Sequence, residues 1–531
     1  MTSLAAVVAA VALAAPGAPR LSDVQVSNGD TPFAGDHALL TTVSPNGDGF
    51  RDRAIVRFRL DRAARVRMEA VRTDTIRPGR PAVEAIWRTE ARLGAGPHRL
   101  IWRPARATPA RTYVLRLTVV DRLGRMRVYD NARPGARSPR RAPAVRVQSI
   151  EAGFTRRSYA PGEVAELRIA SDARLLRIQV FTFGNQTHPT PQDLRTSGLA
   201  MTPAVRVDWT RHRRAPARLR VVRAGEWASG LYFLRLTAGD GRLGYAPLIV
   251  RPRRLGTSRV AVVLSTNTWQ AYNFADEDGD GWGDSWYVSD DQRRVDLERP
   301  YLDFGVPFRF RDWDLTFVSW LNRTGKRVDY LSDDDLERAT AAELAAAYDL
   351  IVFPGHAEYV TERAYDVVEG FRDRGGNLVF LSANNVFWRV VRQGRWLVKT
   401  RLWRELGRPE AALVGVQYVG SDGGRRQAGY TVVGAAASPW AFAGTGLSDG
   451  DAFGTYGIEI DARTAASPAG TQLLAVIPDL LGTGRSAEMT YYETPAGAKV
   501  FAAGTLNFAA SLDRPEVRQL VENVWARLSR P

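Results

Sequence analysis

The chain has 531 residues, no cysteine and a formal net charge of +16. This length exceeds what a single hydrophobic core can organise, so several domains are expected. The lack of cysteine excludes disulfide bonds, thiolate metal sites and a cysteine nucleophile.

The charge is distributed unevenly along the chain. Residues 1–260 carry 45 Lys and Arg against 20 Asp and Glu, which leaves them at +25 and the remainder at −9. Only three of the 73 basic residues are lysines, so the preference for Arg is chain-wide. No nucleic-acid recognition module or Gly-rich phosphate loop accompanies the basic half. Nucleic acid is therefore a disfavoured partner, and an anionic cell-envelope polymer is as reasonable a partner.

Residues 1–20 have the features of a signal peptide. The apolar segment Leu4–Ala15 is too short to span a bilayer, and small residues around Ala18 suit cleavage. The usual Lys or Arg before the apolar segment is missing, so a leader without function or a misplaced start is the alternative. The sequence predicts an exported protein, extracellular or at the cell surface. No later segment reaches the roughly 18 apolar residues of a membrane-spanning helix, so no transmembrane span is expected.

A first β-sandwich module is predicted at residues 21–130. Short runs such as AIVRFRL and TYVLRLTVVD alternate apolar and polar positions, and turn residues separate them. The segment SPNGDG at Ser44–Gly49 resembles the opening of Ig-like modules of surface proteins. Asp48 and Asp52 in this region suit turn chemistry better than a Ca²⁺ site.

A second β-sandwich module is predicted at residues 145–252, after a Pro/Arg-rich linker at 131–144. Its strand candidates are EVAELRIA, LLRIQVFTF, ARLRVV, LYFLRLTA and APLIVRP.

The pattern changes in residues 258–531, where strand and helix signals alternate. The branched apolar runs RVAVVLS, YDLIVFPG and NLVFLSA are typical of strands buried on both faces of a parallel sheet. Helical patterns alternate with these runs at Asp312–Lys326 and Thr361–Arg374, and the second ends in Gly375-Gly376, as a helix C-terminus should. These features predict a doubly wound α/β domain.

Additional β structure is expected in the last 120 or so residues. A terminal helix is predicted at Pro515–Leu528. The strand candidates before it are AALVGVQYV, YTVVGA, YGIEIDA, EMTYYET and AKVFAAGTL. The prediction is therefore a multidomain protein with two N-terminal β-sandwich modules and an α/β domain that carries extra β structure.

Polar segments follow three of the predicted parallel strands. Thr268–Asn273 follows the first, Gly355–Tyr359 the second and Asn384–Trp388 the third. The carboxyl ends of parallel strands share one edge of the sheet, where open α/β sheets bind ligands. The residues expected around this crevice are Tyr272, Tyr287, His356, Glu358 and Asn384.

These segments also resemble the motif series of a family of C-terminal domains, that of the N,N-dimethylformamidase beta (large) subunit. The order of the motifs carries the resemblance, since each one alone would be weak. The similar motifs are WASGLY, TWQAYN, SWY, GHAEY, LSANNVFW, GIEID and VFAAGTLNFAASLD, within roughly Val145 to Pro531. The resemblance implies a class I glutamine amidotransferase-like fold without the cysteine nucleophile, which agrees with the absence of cysteine.

The resemblance further implies a mononuclear iron ion held by Tyr272, Tyr287 and Glu358. Phenolate and carboxylate are hard anionic oxygens, and a highly charged cation would displace phenol protons that otherwise leave near pH 10. Such an ion would polarise an amide carbonyl and acidify water for attack. The simpler interpretation of a tyrosine after a strand is a packed aromatic side chain.

Three further residues are candidates for catalysis. His356 lies two residues before Glu358, so in an extended segment both side chains point the same way, and His356 could relay a proton. Asn384 could orient the substrate carbonyl, and Glu459 could act as a general base or a hydrogen-bonding partner. For a single histidine, the simpler interpretation is a satisfied polar residue.

An acidic segment lies between the two candidate tyrosine ligands. Asp276, Asp278 and Asp280 have the spacing that begins an EF-hand-type calcium loop, with Gly281 at the sixth position. The twelfth position is Tyr287 rather than Glu, so a solvated acidic turn competes with a Ca²⁺ site.

The first hypothesis is an exported, metal-dependent hydrolase of C–N bonds in amides. The alternative is a non-catalytic cell-surface binding or adhesion protein that keeps the fold without the reaction. A glycan-processing enzyme is a third option, although no spacing of Asp and Glu singles out the pair that it would need. The residues specify neither the substrate, the oligomeric state nor any companion subunit.

Overall fold

The computed structural model describes residues 17–77, 80–131, 141–183, 198–287 and 292–530. The predicted signal segment therefore lies almost entirely outside the described residues, as do residues 132–140 of the predicted linker. No helix in the described ranges is long and apolar enough to cross a membrane.

The protein is multidomain and mostly β-sheet, and it divides into two units. Unit 1 comprises the described parts of Met1–Thr75 and Pro81–Gln148 together with Asp276–Gly283. Unit 2 comprises the described parts of Ile76–Arg80, Ser149–Ala275 and Asp284–Pro531. The second predicted β module and the predicted α/β domain are thus grouped in one unit.

The first part of the chain, up to residue 148, forms two packed sheets. Its described strands are β1 (Leu21–Ser27), β2 (Leu40–Val43), β3 (Ala54–Leu60), β4 (Ala64–Arg77), β5 (Arg80–Leu93), β6 (Gly96–Trp102), β7 (Arg111–Val120), β8 (Met126–Tyr129) and β9 (Ala144–Val147).

One sheet has the order β1-β3-β6, and the other has the order β2-β9-β7-β4-β5 with β8 on β7. The alternation in β3 shows why they pack: Val56 and Phe58 are buried in the shared core, whereas Arg57 between them is exposed. Strand β9 pairs with β2 and β7, so the residues expected to open the second module complete the first instead.

The SPNGDG segment forms a turn closed by the carboxylates of Asp48 and Asp52. The two carboxylate oxygens of Asp52 accept hydrogen bonds from the backbone N–H groups of Gly47 and Gly49, at 3.0 and 2.8 Å. Asp48 accepts one from the N–H of Phe50 at 2.9 Å. This is the turn chemistry expected of Asn, Asp and Gly.

Unit 2 begins with a second pair of sheets. Their orders are β10-β12-β15 and β11-β17-β16-β13-β14. The strands are β10 (Glu151–Phe154), β11 (Ser158–Tyr159), β12 (Val164–Ala170), β13 (Leu175–Thr182), β14 (Val205–Asp208), β15 (Ala217–Arg223), β16 (Gly230–Ala238) and β17 (Leu243–Val250).

The rest of unit 2 combines a large mixed sheet with short helices. The strands are β18 (Val260–Leu264), β19 (Arg294–Asp296), β20 (Asp329–Ser332), β21 (Leu350–Phe353), β22 (Tyr359–Thr361), β23 (Asn377–Phe380), β24 (Trp388–Gln393), β25 (Trp396–Leu402), β26 (Gln417–Ser421), β27 (Gln427–Val432), β28 (Ala452–Gly457), β29 (Glu459–Ala462), β30 (Gln472–Ile477), β31 (Ala487–Glu493) and β32 (Lys499–Ala502).

The helices are α1 (Thr266–Ala271), α2 (Leu302–Gly305), α3 (Thr316–Arg323), α4 (Asp333–Arg338), α5 (Ala341–Ala347), α6 (Glu362–Arg372), α7 (Ala411–Val414), α8 (Pro439–Phe442) and α9 (Pro515–Leu528). Short 3₁₀ turns lie at Thr210–His212, Trp403–Leu406 and Phe508–Ser511, and a π-helical turn at Arg311–Leu315 precedes α3.

The mixed sheet has nine strands in the order β20-β18-β21-β23-β32-β31-β30-β27-β28. The first five are parallel, and the remaining strands continue the sheet in antiparallel pairs. All five residues of β18 are buried, because successive side chains enter different cores. Val262 packs with residues of α3 and α9 on one face, and Val263 packs with residues of α4, α5 and α6 on the other.

Two local expectations require correction. The predicted strand at residues 411–419 begins instead with helix α7, and β26 starts only at Gln417, because Gly415 adopts a left-handed conformation that ends the helix. The predicted helix Asp312–Lys326 is shorter, since α3 ends at Arg323, and its first turn is π-helical.

The core beneath the parallel strands yields a stability prediction. Phe380 of β23 is fully buried and stacks on Phe353 of β21 with ring centroids 5.0 Å apart. We expect Phe380→Ala to lower the free energy of unfolding by about 3–5 kcal/mol, through lost burial and the cavity left behind. Phe304→Ala is the matched control, since that side chain is 40% exposed, and it should cost less than about 1 kcal/mol. Equal urea-unfolding midpoints for the two variants would contradict this packing.

Candidate functional site

Three polar segments meet at the carboxyl edge of the parallel strands in unit 2. Strand β18 runs into α1, whose C-terminal neighbour is Tyr272. Strand β21 is followed by His356 and Glu358, and β23 is followed by Asn384. Because these strands are parallel neighbours, the three segments leave the sheet at the same edge.

A phenol, an imidazole and a carboxylate form the centre of the site. The Tyr272 hydroxyl donates a hydrogen bond to Oε2 of Glu358 and lies 3.2 Å from Nε2 of His356. Nε2 of His356 is also 3.2 Å from Oε2 of Glu358. The other ring nitrogen, Nδ1, lies 2.9 Å from the carbonyl oxygen of Ala383 and must carry the proton, because a carbonyl only accepts. The imidazole therefore presents Nε2 to the site.

Glu459 joins this centre from strand β29. Its Oε2 lies 3.7 Å from Nε2 of His356 and accepts a hydrogen bond of 2.9 Å from Nδ2 of Asn384. The backbone N–H of Asn384 is held in turn by both carboxylate oxygens of Asp461, at 2.8 and 3.0 Å. One amide hydrogen of Asn384 remains for a ligand, and its Oδ1 has no hydrogen-bond partner among the described residues.

The backbone around these residues is strained. Asn384 and Ile458 have φ values of 53° and 72°, and Ile458 is β-branched. Left-handed backbone costs about 1–3 kcal/mol at such a residue and persists where the surroundings enforce it. The left-handed backbone at Asn384 and at Ile458, which precedes Glu459, accompanies the hydrogen bond from Nδ2 of Asn384 to Oε2 of Glu459.

Tyr287 lies at the side of the centre. Its ring meets the ring of Tyr272 edge to face, with centroids 5.1 Å apart. Burial, followed by the negative charge of Glu459, raises the pKa of the Tyr287 phenol, and the Arg309 charge partly opposes this. The structure thus brings together all six residues expected at the site: Tyr272, Tyr287, His356, Glu358, Asn384 and Glu459.

Burial sets the protonation of the ionisable groups. The pKa of the Tyr272 phenol is raised well above 10, first by burial and then by the Glu358 charge. Burial also raises the pKa of Glu459 to about 7, although the charge of His356 opposes it. For His356, burial lowers the pKa, but the hydrogen bond to Glu358 and the Glu459 charge outweigh it, so the pKa is raised overall.

The site is short of positive charge. Glu358 and Glu459 are 4% and 9% exposed, so their charges are poorly solvated. Within the described residues, His356 is the only cationic group within ion-pair distance of either carboxylate. Two carboxylates and two phenols around one imidazole are a donor set that suits a hard, highly charged cation.

A π-helical turn supplies two residues that the sequence did not single out. The Trp313 ring lies 5.3 Å from the His356 ring and 5.9 Å from the Tyr272 ring. Asp314 is buried and accepts a hydrogen bond of 3.0 Å from the Trp269 indole N–H. A side chain on Gly355 would place Cβ 2.5 Å from Oδ1 of Asp314, so this approach requires glycine. No motif marked Trp313 or Asp314, because the segment shows only a helical pattern.

Two further residues belong to recognised motifs but were not assigned a role. Tyr359 is buried beside Tyr272, with ring centroids 5.8 Å apart. Asp461 holds the backbone of Asn384, as described above. The alternation Glu459, Ile460, Asp461 in a strand places both carboxylates on one side, and this signal could have identified Asp461.

The acidic segment belongs to unit 1 and forms a turn of its own. Asp276 accepts hydrogen bonds from the N–H groups of Gly279 and Gly281, at 2.7 and 2.9 Å. Asp278 and Asp280 each accept one from the N–H two residues later, at 3.1 and 2.7 Å. These contacts are those of a self-capped acidic turn, and calcium binding at Asp276, Asp278 and Asp280 stays a prediction.

The fold and the site define a class of β-rich multidomain proteins with a buried carboxylate, phenol and imidazole centre at the edge of a parallel sheet. The profile of the family described as N,N-dimethylformamidase beta subunit-like, C-terminal, matches residues 199–523, more than half of the chain. The chain therefore belongs to this family. The match includes all six site residues but not residues 1–198.

Two curated relatives share a shorter segment. Over 137 residues the chain is 31% identical to the N,N-dimethylformamidase beta subunit of Alcaligenes sp and 30% identical to that of Paracoccus aminophilus. The segment covers 25% of this chain, and it spans only 17% of the length of each relative.

Solved structures show weaker likeness. Escherichia coli alpha-2-macroglobulin in its native conformation gives a TM-score of 0.23 and 10% identity, over 44% of this chain and 16% of that one. Red sea bream transglutaminase gives a TM-score of 0.17 and 9% identity, over 44% of this chain and 32% of that one. Scores this low do not indicate a shared fold. They do not support the expected class I glutamine amidotransferase-like fold, which stays a prediction.

Asp461 yields a pH-dependent prediction for the metal-free protein. Burial raises the pKa of its carboxyl to about 7, from about 3.8 in the unfolded chain. The native protein therefore loses stability as pH rises from about 4 to 7, because the folded state must give up a proton that it holds tightly. Asp461→Asn removes this loss, so the difference in unfolding free energy, variant minus wild type, should rise by about 3–4 kcal/mol over that range.

Urea unfolding at several pH values measures this difference. Thr505→Val, a buried polar substitution next to Ile460, is the control and should give a pH-independent difference. Weaker hydrogen bonding of the Asn384 N–H to residue 461 would change the unfolding free energy of Asp461→Asn equally at every pH. A difference between Asp461→Asn and wild type that does not change with pH would contradict the raised pKa of Asp461.

Proposed function

We propose that unit 2 hydrolyses C–N bonds of small amides with a mononuclear iron ion held by Tyr272, Tyr287 and Glu358. One observation carries the proposal: two buried carboxylates and two phenols surround a single imidazole, with no other cationic group in ion-pair range within the described residues. Membership of the dimethylformamidase beta subunit-like family supports an amide as the substrate class.

The proposed ligands fit such an ion by their chemistry. Phenolate and carboxylate oxygens are hard donors, and a bound cation would offset the raised pKa of both phenols. When bound, iron would supply Lewis acidity, which polarises a carbonyl and makes a coordinated water more acidic. Proton transfers remain the task of the protein side chains.

Glu459 is the proposed general base. Burial raises its pKa to about 7, which suits proton transfer near neutral pH, and Asn384 holds its Oε2. Glu459 takes a proton from water as the water oxygen bonds to the amide carbon. His356, which carries a proton on both ring nitrogens because its pKa is raised, then delivers the Nε2 proton to the amide nitrogen. The C–N bond breaks, a carboxylic acid and an amine leave, and Glu459 returns the proton taken from water to His356.

Asn384 has a positioning role in this scheme. Its Nδ2 hydrogen bond to Glu459 orients the base, and its remaining amide hydrogen can reach the substrate carbonyl. The rings of Trp313 and Tyr287 border the centre and exclude water from it, which strengthens the electrostatic interactions inside.

A second candidate function is binding to cell-surface material without catalysis. The charge of +25 on residues 1–260 favours this function, because positive charge attracts anionic polymers. Most of these residues lie before the family match, which begins at residue 199. A protein without iron that binds anionic envelope polymer, and that hydrolyses no amide, would support it over the enzyme.

Metal content tests the ligand assignment. We expect about one iron per wild-type chain together with a visible phenolate-to-iron absorption band, since phenolate is a direct ligand in the proposal. Tyr272→Phe and Glu358→Gln should each lose most of the iron and the band. Tyr365→Phe is the matched control, because Tyr365 is buried elsewhere and its hydroxyl has no partner in the described structure, so iron should be retained. Iron that persists in both ligand variants would rule out this site.

Amide turnover tests the catalytic assignment. An amide library screened on iron-loaded protein should reveal a substrate, and Glu459→Gln should lower kcat about 10²–10⁴-fold, the usual contribution of a general base. Iron content should stay unchanged in this variant, because Glu459 is not a proposed ligand. Glu516→Gln, on helix α9, is the control with the same chemical change and should retain full activity. Equal activity of both variants would remove Glu459 from the mechanism.

A further inference from the structure

Unit 1 contains an open cleft that the family match does not cover. The cleft has a volume of about 660 Å³, which lies within the usual range of small-molecule sites. Three arginines line it, Arg53, Arg103 and Arg106, together with the glycines of the SPNGDG turn and the carboxylates of Asp30 and Asp52.

Two of these arginines flank the same end of one strand pair. Ala54 at the start of β3 pairs with Trp102 at the end of β6, so Arg53 and Arg103 are the residues that directly flank this terminal pair, and both line the cleft. Neither guanidinium has a hydrogen-bond or ion-pair partner in the described part of the chain. Both groups are therefore free to bind an anion from solution.

The carboxylates of the cleft already accept hydrogen bonds from backbone N–H groups in and beside the turn. Asp52 accepts hydrogen bonds from Gly47 and Gly49, and Asp30 accepts one of 2.9 Å from the backbone N–H of Arg51. These carboxylates are held in place instead of neutralising the arginines. Each still has lone pairs that can accept hydrogen bonds from ligand hydroxyl groups.

We infer that this cleft binds an acidic carbohydrate, a sugar unit that carries a carboxylate or a phosphate group. The guanidiniums of Arg53 and Arg103 can each donate hydrogen bonds to the oxygens of such an anion, and Asp30 and Asp52 can accept hydrogen bonds from the sugar hydroxyls. A DNA strand fits less well, because its internal sugars have no free hydroxyl groups for Asp30 and Asp52 to accept hydrogen bonds from. The inference does not depend on the proposed amide hydrolysis.

Binding of defined oligosaccharides to the full-length protein tests this assignment. The probes are an oligogalacturonate, which carries carboxylates, and a phosphorylated sugar of similar size, with a neutral oligosaccharide for comparison. We expect at least one acidic probe to bind in calorimetry, the neutral one not to bind, and the affinity to fall as salt rises. Whichever acidic probe binds more tightly identifies the anion.

A double variant distinguishes a built site from general positive charge. Arg53→Gln with Arg103→Gln should weaken binding at least tenfold. Arg57→Gln with Arg99→Gln is the matched control, since this pair faces across the same two strands, is exposed and changes the charge equally. It should weaken binding less than threefold.

Three results would overturn the inference. They are no binding of either acidic probe, equal losses in the two double variants, or tighter binding of a DNA oligonucleotide than of the acidic sugars. Each arginine is at the surface, and matching thermal unfolding curves for the two variants would show that the fold is retained.

Discussion

The buried negative charge at the carboxyl edge of the parallel strands is the constraint on which the rest of unit 2 depends. Glu358 and Glu459 are removed from water, and a buried carboxylate is stable only when it is paired, protonated or bound to a cation. His356 is their one cationic partner within the described residues, and its Nε2 lies within 4 Å of both carboxylates. The surrounding structure keeps the two carboxylates close together although their burial and mutual repulsion are unfavourable.

The sheet supplies that support from both faces. Helices cover each side of the parallel strands, so the strand ends cannot move apart without opening one of two cores. At the edge itself, Ala383 orients His356, Asp461 holds the backbone of Asn384, and Asn384 holds Glu459. The left-handed backbone at Asn384 and Ile458 belongs to the same arrangement.

The two units present different chemistry. Unit 2 holds anionic oxygens in a buried site that suits a cation, and it contains the family match except for Asp276–Gly283. Unit 1 holds exposed guanidiniums around an open cleft, and its turn residues are satisfied internally. An envelope-binding function and an amide-hydrolysing function are therefore compatible in one chain, because they rest on separate residues.

The sequence alone determined the elements whose signal is local. The alternation of AIVRFRL, the continuous apolar run of RVAVVLS and the amphipathic pattern of Pro515–Leu528 each predicted the element that forms. The order of strand and polar segment also predicted that Tyr272, His356, Glu358 and Asn384 lie near one another, since parallel strands end at one edge.

Tertiary structure decided everything that depends on partners distant in the chain. Trp313 reaches the site through a π-helical turn and has no local sequence signal, and Asp461 reaches Asn384 only because the fold places strand β29 beside it. Ala144–Val147 completes the first module because β2 and β7 offer it backbone partners, and Asp276–Gly283 groups with unit 1 although it lies between site residues. Local patterns fix which face of a segment is apolar, but only packing decides which surface that face meets.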